Sequence, residues 1–284
     1  MLSFKNARDN ALFCPYAARC ENGVWQSPVQ LSGTTDEACW NPVLWANPES
    51  GEITLWFKRG RKIAHWKTFV RRSTDGGRTW SAEEEAIPGD CSGGRGPVKD
   101  KPVLLSNGLL IAGASHESED GRIWRAFFEL SEDGGHTWSR TPYLETNRPV
   151  RLIQPTIWED TDGVHALLRS NSGVLWRADS GNGRTWSKAY PTAIPNNNSG
   201  IDCTALPDGS LALVCNPVGQ DWGARTPLSL LCSTSGGREW KRALDLERGD
   251  GEFSYPAIVV RDGVAHITYT YNRRAIRYCA VEIG

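Results

Sequence analysis

The chain has 284 residues, a formal net charge of −1 and a hydrophobic share of 39%. The balanced charge gives no electrostatic basis for binding nucleic acid. Because no apolar run approaches the roughly eighteen residues of a membrane span, a membrane protein is not expected either. Residues 1–6 show no apolar region of a signal peptide, and on this basis we expect a cytoplasmic protein.

Eight cysteines occur without a C-x-x-C pair or a Cys/His cluster at zinc-site spacing. Four of them fall in apolar strand-like runs, where a free thiol packs as a small hydrophobic group. These four are Cys203, Cys215, Cys232 and Cys279. We therefore expect reduced, structural cysteines and neither a metal nor another cofactor. Disulfide pairing, as in a secreted protein, is the alternative.

A turn sequence, S-x-D-x-G-x-x-W, recurs along the chain. It is complete at residues 73–80 and 131–138, and weaker copies end at Trp186 and Trp240 with Gly181 and Ser235 in the Asp position. The Asp can accept hydrogen bonds from its own turn, the glycines permit positive φ, and the Trp packs onto neighbouring strands. We therefore predict structural turns and not catalytic aspartates. The tryptophans recur about every 50 residues, which indicates a propeller or another repeat array.

A second signal precedes each turn, as a polar residue and a proline followed by an apolar run. Its members are Asn41-Pro42, Lys101-Pro102, Gln154-Pro155 and Tyr255-Pro256, while Asp202 holds the equivalent position without a proline. Proline is tolerated at the first residue of a strand, so each pair predicts a strand start. Three further strands follow in each period, and four antiparallel strands are typical of a propeller blade.

The blade count is uneven. The last unit, from Tyr255 onward, has three strands, and residues 1–30 supply only two. We predict an all-β, six-bladed propeller with an incomplete first blade, forming a single domain over residues 1–284. An incomplete ring exposes strand edges, so we also predict a homodimer formed across the gap.

The predicted topology places the starts of first strands and the ends of second strands on one face, opposite the Trp turns. The first group comprises Asn41, Lys101, Gln154, Asp202 and Tyr255. The second group, with the following loops, comprises Arg59, Arg61, Glu117, Arg169, Asn216, Arg225 and Arg273. Cations predominate, and a bidentate arginine suits a carboxylate. The expected ligand is an anionic small molecule or sugar.

The turn sequence resembles the Asp boxes of the sialidase superfamily, and nearly the whole chain resembles a bacterial sialidase-like group. Residues 39–42, 96–102, 199–202 and 253–256 carry the closer likeness. The resemblance implies a six-bladed propeller in which three arginines bind the sialic acid carboxylate. It also implies a tyrosine nucleophile assisted by a glutamate, together with an aspartate acid/base.

This resemblance assigns Arg169 and Arg225 to the second and third arginines and Tyr255 to the nucleophile. Gln154 stands where the glutamate should be, and glutamine cannot take a proton. The resemblance places the first arginine and the aspartate acid on early strands of the first blade, which we do not expect in this sequence, either because that blade is incomplete or because a natural N-terminal segment is missing. Glu117 is our first choice as acid/base, since it follows a second strand on the predicted site face. The other candidates are Glu129, Asp202, His116 and His266.

Three functions are compatible with the sequence. The first is a retaining, sialidase-like glycosidase with Tyr255 as nucleophile and Arg169 and Arg225 as carboxylate clamp. In this function we expect four further residues to bind substrate: Lys101, Asn41, Asn216 and Arg273. The second is a hydrolase or lyase acting on a uronate. In the lyase, Tyr255 with His116 or His266 would act as base and acid, and Gln154 or Asn41 would neutralise the carboxylate. The third is a non-catalytic, glycan-binding propeller. The first ranks highest because it explains the two arginines and the tyrosine together.

Overall fold

The computed structural model describes residues 2–4, 14–32 and 37–283. These residues form antiparallel strands and one short 3-10 helix, Ile63–His65. None of the described helices has the length and apolarity needed to cross a membrane. The chain divides into two compact units. Unit 1 comprises Met1–Ile123 and Glu129–Arg140, and unit 2 comprises Trp124–Phe128 and Thr141–Gly284.

Unit 1 begins with short strands and continues into longer sheets. The short strands are β1 (Leu2–Phe4), β2 (Pro15–Ala17), β3 (Cys20–Glu21), β4 (Val24–Trp25) and β5 (Val29–Gln30). β1, β2 and β5 form a three-stranded sheet, and β3 pairs with β4. The first four-stranded sheet contains β6 (Cys39–Ala46), β7 (Ile53–Arg59), β8 (Lys67–Ser73) and β9 (Glu84–Glu85). The second contains β10 (Val103–Leu104), β11 (Leu110–Glu117), β12 (Trp124–Ser131) and β13 (Ser139–Arg140), with β12 supplying residues to both units.

Unit 2 contains three sheets. The third sheet has β14 (Leu152–Asp160), β15 (Gly163–Ser170), β16 (Val174–Ser180) and β17 (Tyr190–Pro195). The fourth has β18 (Asp202–Ala205), β19 (Leu211–Cys215), β20 (Leu228–Ser233) and β21 (Lys241–Glu247). The fifth has three strands, β22 (Phe253–Arg261), β23 (Val264–Tyr271) and β24 (Ala275–Glu282).

In these five sheets, strands that are consecutive in the chain are neighbours in the sheet. The described residues thus contain four four-stranded blades and one three-stranded blade, which confirms the predicted blade pattern. Part of the N-terminal stretch lies outside the described residues. The six-blade count, the incomplete first blade and the single domain stay predictions.

The polar-proline signal marks a β-bulge in three of the blades. Asn41, Gln154 and Tyr255 have φ values of 45°, 53° and 52°, and strand pairing shifts register at each of them. Each strand begins two residues earlier, so the prediction that these pairs start strands was wrong. A bulge inserts one extra residue and re-aims its side chain. Left-handed backbone is unusual for such residues, and the following proline further restricts them.

The complete Trp turns are held together by their aspartates. Asp75 accepts hydrogen bonds from the backbone N–H groups of Arg78 and Thr79 at 2.9 Å each, and from the Thr79 hydroxyl at 2.6 Å. These bonds, led by that of the Thr79 hydroxyl, hold the pKa of Asp75 well below its usual range. Trp80 Nε1 closes the turn by donating to the Gly77 carbonyl at 3.2 Å. The predicted structural role is therefore supported.

The third turn differs from its predicted alignment. Asn182, and not Gly181, takes the place of the aspartate, because its Oδ1 accepts from the N–H groups of Arg184 and Thr185 at 2.8 and 3.1 Å. Ser180 takes the serine role and accepts from the Gly183 N–H at 2.9 Å. This turn is one residue shorter than the others. In the fourth turn, Ser235 replaces the aspartate as predicted, accepting from the Glu239 N–H at 2.8 Å.

Apolar faces of successive sheets form the core of each unit. In unit 2, one cluster joins the third and fourth sheets through Trp158, Leu167 and Leu213. Another joins the fourth and fifth sheets through Val214, Ile258 and Ile267. All eight cysteines are free thiols, as expected, and Cys203 and Cys215 are buried in strands of the fourth sheet.

Candidate functional site

The first strands of the three sheets in unit 2 lie side by side, with Asp202 between its neighbours. Its Oδ1 accepts from the Thr156 hydroxyl at 3.0 Å, and its Oδ2 accepts from the Ile258 N–H at 2.9 Å. The carboxylate is buried and joins three blades. This placement favours a framework role for Asp202 over the predicted catalytic one.

Tyr255 lies at the β-bulge of β22, with 37% of its surface exposed. The Arg225 guanidinium carbon lies 4.9 Å from the Tyr255 ring centroid, and the charge of Arg169 acts on the same phenol. Burial opposes ionisation of the phenol, but the two guanidinium groups outweigh it and set the pKa of Tyr255 below its ordinary value. A phenol of lowered pKa between two cations is a candidate nucleophile or base.

Arg169, at the end of β15, is the most enclosed cation of this site, with 4% of its surface exposed. Its Nε donates to Asn198 Oδ1 at 2.7 Å, and its Nη1 donates to Gln154 Oε1 at 3.1 Å. Its guanidinium carbon lies 5.7 Å from the ring centroid of Trp124 and 5.9 Å from that of Trp222. These contacts fix the guanidinium plane beside Tyr255, as the carboxylate-binding prediction requires.

Gln154 lies next to Arg169, within the group of residues that was predicted to form the site. Its carbonyl oxygen is engaged by Arg169, and it can orient groups by hydrogen bonding but cannot accept a proton. The structure thus brings together Gln154, Arg169, Arg225 and Tyr255, which the sequence placed on different strands.

Arg225 and Arg273 share one carboxylate. Arg225 Nη1 donates to Glu252 Oε1 at 2.9 Å and to the Ser254 hydroxyl at 3.1 Å. Arg273 Nε donates to both oxygens of Glu252 at 2.8 Å. Glu252 thereby orients Arg225 over the Tyr255 ring and connects the more exposed Arg273 to the site. The predicted substrate contact of Arg273 stays a prediction.

Asn216 does not have the predicted surface position. It is fully buried, and its Nδ2 donates to the carbonyl oxygens of Pro227 and Phe253 at 2.9 Å each. Its Oδ1 accepts from the Ser199 hydroxyl at 2.8 Å. With its amide saturated and covered, Asn216 cannot contact a substrate. The prediction that it binds substrate was wrong because its side chain is buried and hydrogen-bonded to the protein.

Glu117, the predicted acid/base, belongs to unit 1. It is the last residue of β11 and lines a small cavity with Lys58 and Ser115. Burial lowers the pKa of the Lys58 ammonium to about 8. That ammonium donates to the Thr68 hydroxyl at 2.8 Å and to backbone carbonyls, so it is held within the framework of unit 1.

The other predicted residues of unit 1 have diverse environments. Asn41 lies at the bulge of β6, and Lys101 lies just before β10. Arg59 is buried, pairs with Glu83 and lies 4.1 Å from the Phe69 ring centroid, which indicates a structural role. The predicted site roles of Asn41, Lys101 and Glu117 stay predictions.

An aromatic pair, Trp222 and Trp124, lies beside Arg169 and was not predicted from the sequence. Trp222 has φ of 56° and 62% of its surface exposed, and its ring meets that of Trp124 edge-on at 6.4 Å. Arg151 lies over Trp124, with its guanidinium carbon 4.7 Å from the ring centroid. An exposed indole next to Arg169 offers a flat apolar surface to a ring-shaped ligand. Trp222 is not part of the repeating Trp turns. Its nearness to Arg225 in the chain is the one signal in the sequence that could have identified it.

A second titratable cluster lies on the third sheet. His165 is buried, with Nδ1 2.6 Å from Asp179 Oδ1 and Nε2 3.0 Å from Asp160 Oδ1. Burial and the nearby Arg177 oppose its protonation, but the two carboxylates prevail and raise the pKa of His165. Arg177 Nε and the Tyr190 hydroxyl also bind Asp179, at 2.7 Å each. No group of metal-ligating side chains was found among the residues that the structure describes.

The chain is similar in sequence or in fold to several known proteins. The model of the BNR repeat-like domain family matches residues 16–267. A sialidase of Micromonospora viridifaciens is 25% identical over 237 residues, which cover 74% of this chain and 34% of that protein. A protein of unknown function from Dyadobacter fermentans superposes with a TM-score of 0.76 at 16% identity, covering 99% of this chain and 87% of its own.

The Trypanosoma rangeli sialidase bound to the inhibitor DANA superposes with a TM-score of 0.71 at 13% identity, covering 99% of this chain and 54% of its own. The same sialidase is also known with 2,3-difluorosialic acid as a covalent intermediate. The chain thus spans about a third of the Micromonospora sialidase and about half of the Trypanosoma one.

The consecutive antiparallel blades and these superpositions define an all-β propeller of the sialidase fold. Its unit 2 carries a tyrosine held between two arginines. The chain belongs to the BNR repeat-like domain family, within the sialidase-like group that the Asp boxes indicated.

Proposed function

We propose that this protein is a sialidase-type glycosidase that removes a terminal acidic sugar, sialic acid or a close analogue, from a glycan. The observation that supports it most is the position of Tyr255 next to Arg225, whose guanidinium carbon lies 4.9 Å from its ring centroid, with Arg169 and Arg225 together lowering its pKa. A carboxylate-bearing sugar gives both arginines a function that a neutral sugar does not. Relatives that are sialidases add support to the reaction class.

The reaction divides between two steps. In the first, the Tyr255 oxygen bonds to the anomeric carbon while the bond from that carbon to the leaving-group oxygen breaks. The leaving oxygen takes a proton from a general acid. In the second step, water attacks the same carbon, its proton passes to the conjugate base, and the bond to Tyr255 breaks. Two displacements at one carbon retain its configuration.

The arginines act on both substrate and nucleophile. Arg169 and Arg225 bind the carboxylate, and their positive charge favours the phenolate over the phenol. Each unit by which a pKa falls corresponds to about 1.36 kcal/mol of preference for the ionised form. Gln154 orients Arg169 but takes no proton, so the Tyr255 proton passes to solvent water, and the phenolate that the two arginines stabilise is the attacking species.

A uronate lyase is the second candidate, and Gln154 is the observation that favours it. With glutamine at this position, Tyr255 would act as the base that removes the proton next to the carboxylate, while Arg169 and Gln154 neutralise that carboxylate. The glycosidic carbon–oxygen bond then breaks by elimination, and the leaving oxygen takes a proton from an acid. The product carries a carbon–carbon double bond conjugated with the carboxylate.

A turnover assay with a fluorogenic sialoside and a fluorogenic glucuronide, run side by side, tests the proposal. We expect sialoside cleavage that Tyr255→Phe abolishes and that a control, Tyr16→Phe, preserves. The control removes an exposed hydroxyl whose partner is Gln30 at 3.2 Å. A conjugated product from a polymeric uronate, seen by its ultraviolet absorbance, would establish the lyase instead. Binding of acidic sugars without turnover of any substrate would indicate a glycan-binding propeller.

A further inference from the structure

Residues 196–199, Asn-Asn-Asn-Ser, form the connection between β17 and β18, which we term the asparagine loop. All four residues are buried, with at most 2% of their surface exposed. Three consecutive buried amides are costly to desolvate unless every polar atom is satisfied. The hydrogen bonds that repay this cost lead to the segments that carry Arg169, Arg225 and Tyr255.

Asn198 is the link to Arg169. Its Oδ1 accepts from Arg169 Nε at 2.7 Å, and its Nδ2 donates to Asp221 Oδ1 at 2.7 Å. Its own N–H donates to Asn196 Oδ1 at 3.0 Å, and its φ is 59°. The side-chain amide is therefore fixed at both ends, and its oxygen can point only toward the guanidinium group.

The neighbouring residues reach the other two segments. Asn197 Nδ2 donates to the Gly223 and Ala224 carbonyls at 3.3 and 2.6 Å, immediately before Arg225. The Ser199 hydroxyl is 2.6 Å from Asn197 Oδ1 and 2.8 Å from Asn216 Oδ1.

Asn216 carries the connection on to the tyrosine segment. Its Nδ2 donates to the carbonyl of Phe253, two residues before Tyr255. One buried network thus spans the side chain of Arg169 and the backbone that presents Arg225 and Tyr255.

We propose that Asn198 is a positioning residue that fixes the Arg169 guanidinium plane, and that the asparagine loop sets the spacing of Arg169 and Arg225 so that they act as one rigid anion clamp. The proposal rests on the proposed function for the identity of the anion, but the positioning of Arg169 toward Tyr255 does not depend on turnover. A clamp fixed before binding loses less freedom when an anion arrives than two independently mobile arginines would.

Asn198→Gly is the sharpest variant, because glycine keeps positive φ without strain while the amide is lost. Asn22→Gly is the matched control, since Asn22 has φ of 51° in an exposed turn of unit 1. Asn198→Asp serves as a second variant of equal size. It keeps an acceptor for Arg169 but loses the donor to Asp221. Circular dichroism establishes that each variant is folded.

The readouts are calorimetric binding of DANA and spectrophotometric titration of Tyr255, obtained by subtracting the titration of the matching Tyr255→Phe protein. We expect Asn198→Gly to bind DANA about tenfold more weakly, the loss of roughly one hydrogen bond to a charged group. We expect the ionisation midpoint of Tyr255 to rise toward its ordinary value in Asn198→Gly, to rise also in Asn198→Asp, where the added carboxylate beside Arg169 contributes, and to stay unchanged in the control.

The results of these measurements distinguish the positioning role of Asn198 from the proposed function on an acidic sugar. An unchanged Tyr255 midpoint in a folded Asn198 variant would overturn the positioning role, whatever the protein does with sugars. A raised midpoint in a protein that binds no DANA, even unmodified, would support the positioning role and contradict the acidic-sugar function. Equal shifts in the Asn22 control would assign the effect to general loosening and overturn the inference.

Discussion

Replacing Arg169 by methionine separates the charge of the clamp from its packing. Methionine fills much of the buried volume but removes the donors to Asn198 and Gln154 and the cation beside Tyr255. Hydrogen bonds to a charged group contribute about 1.5–3 kcal/mol each, so losing one such contact to a substrate carboxylate weakens binding roughly tenfold to a hundredfold. The pKa of Tyr255 should rise in the same variant, because burial would then be opposed by Arg225 alone.

The same substitution should also lower stability, through two opposing contributions. Two buried carbonyl oxygens lose their donor, at about 1–3 kcal/mol each, but a buried positive charge is also removed, which offsets part of that cost. Arg169→Lys provides the comparison, since it keeps a charge without the planar donor geometry. We expect DANA affinity and kcat/KM to fall in the order wild type, Arg169→Lys, Arg169→Met, with thermal unfolding shifted by only a few degrees. Unchanged binding in a folded Arg169→Met protein would refute the clamp.

Three further predictions concern the framework. Asp133 accepts the hydrogen bonds of the second Trp turn, and those from Thr137 outweigh burial and lower the pKa of Asp133 to about 2. Asp133→Ala removes this acceptor, so we expect a loss of about 1 kcal/mol in unfolding free energy without a change in KM. The pKa of His165 is raised in the folded protein, so its contribution to stability is complete below about pH 6.5 and is lost as pH rises through the folded-state pKa. The denaturant concentration at the unfolding midpoint should therefore fall across that pH interval in the wild type. It should depend less on pH in His165→Gln. Asn216→Ala should cost about 2–4 kcal/mol in unfolding free energy, measured by chemical denaturation, because it orphans buried partners; an unfolding free energy equal to that of the wild type would contradict this framework role.

The blades could be predicted from the sequence because turn chemistry and strand periodicity are local. The aspartate turns satisfy their own hydrogen bonds, so Asp75 and its equivalents mark turn positions without reference to the rest of the chain. The third turn was misaligned because a one-residue deletion moved the aspartate role to Asn182, although Gly183 and Trp186 kept their places. Local signals therefore identified the elements and missed a change in length within one of them.

The candidate site was only partly predictable, since it depends on contacts between distant segments. The resemblance to sialidases pointed to Arg169, Arg225 and Tyr255, and all three lie together in unit 2. The proline signal marked strands correctly but gave the wrong starting point in three of four cases, because Asn41, Gln154 and Tyr255 lie at a bulge inside the strand. Asn198 was not identified at all, since nothing in a run of asparagines predicts that one amide holds an arginine 29 residues away.

The role of Tyr255 as nucleophile is tested most directly by trapping its covalent product. The protein would be incubated with a 2,3-difluorinated sialic acid that carries a fluoride leaving group, then analysed by intact mass and peptide mapping. We predict the mass of one sialyl group on the peptide that contains Tyr255, absent from Tyr255→Phe. Turnover of a sialoside with no adduct on Tyr255, or with the adduct on another residue, would contradict the proposed mechanism.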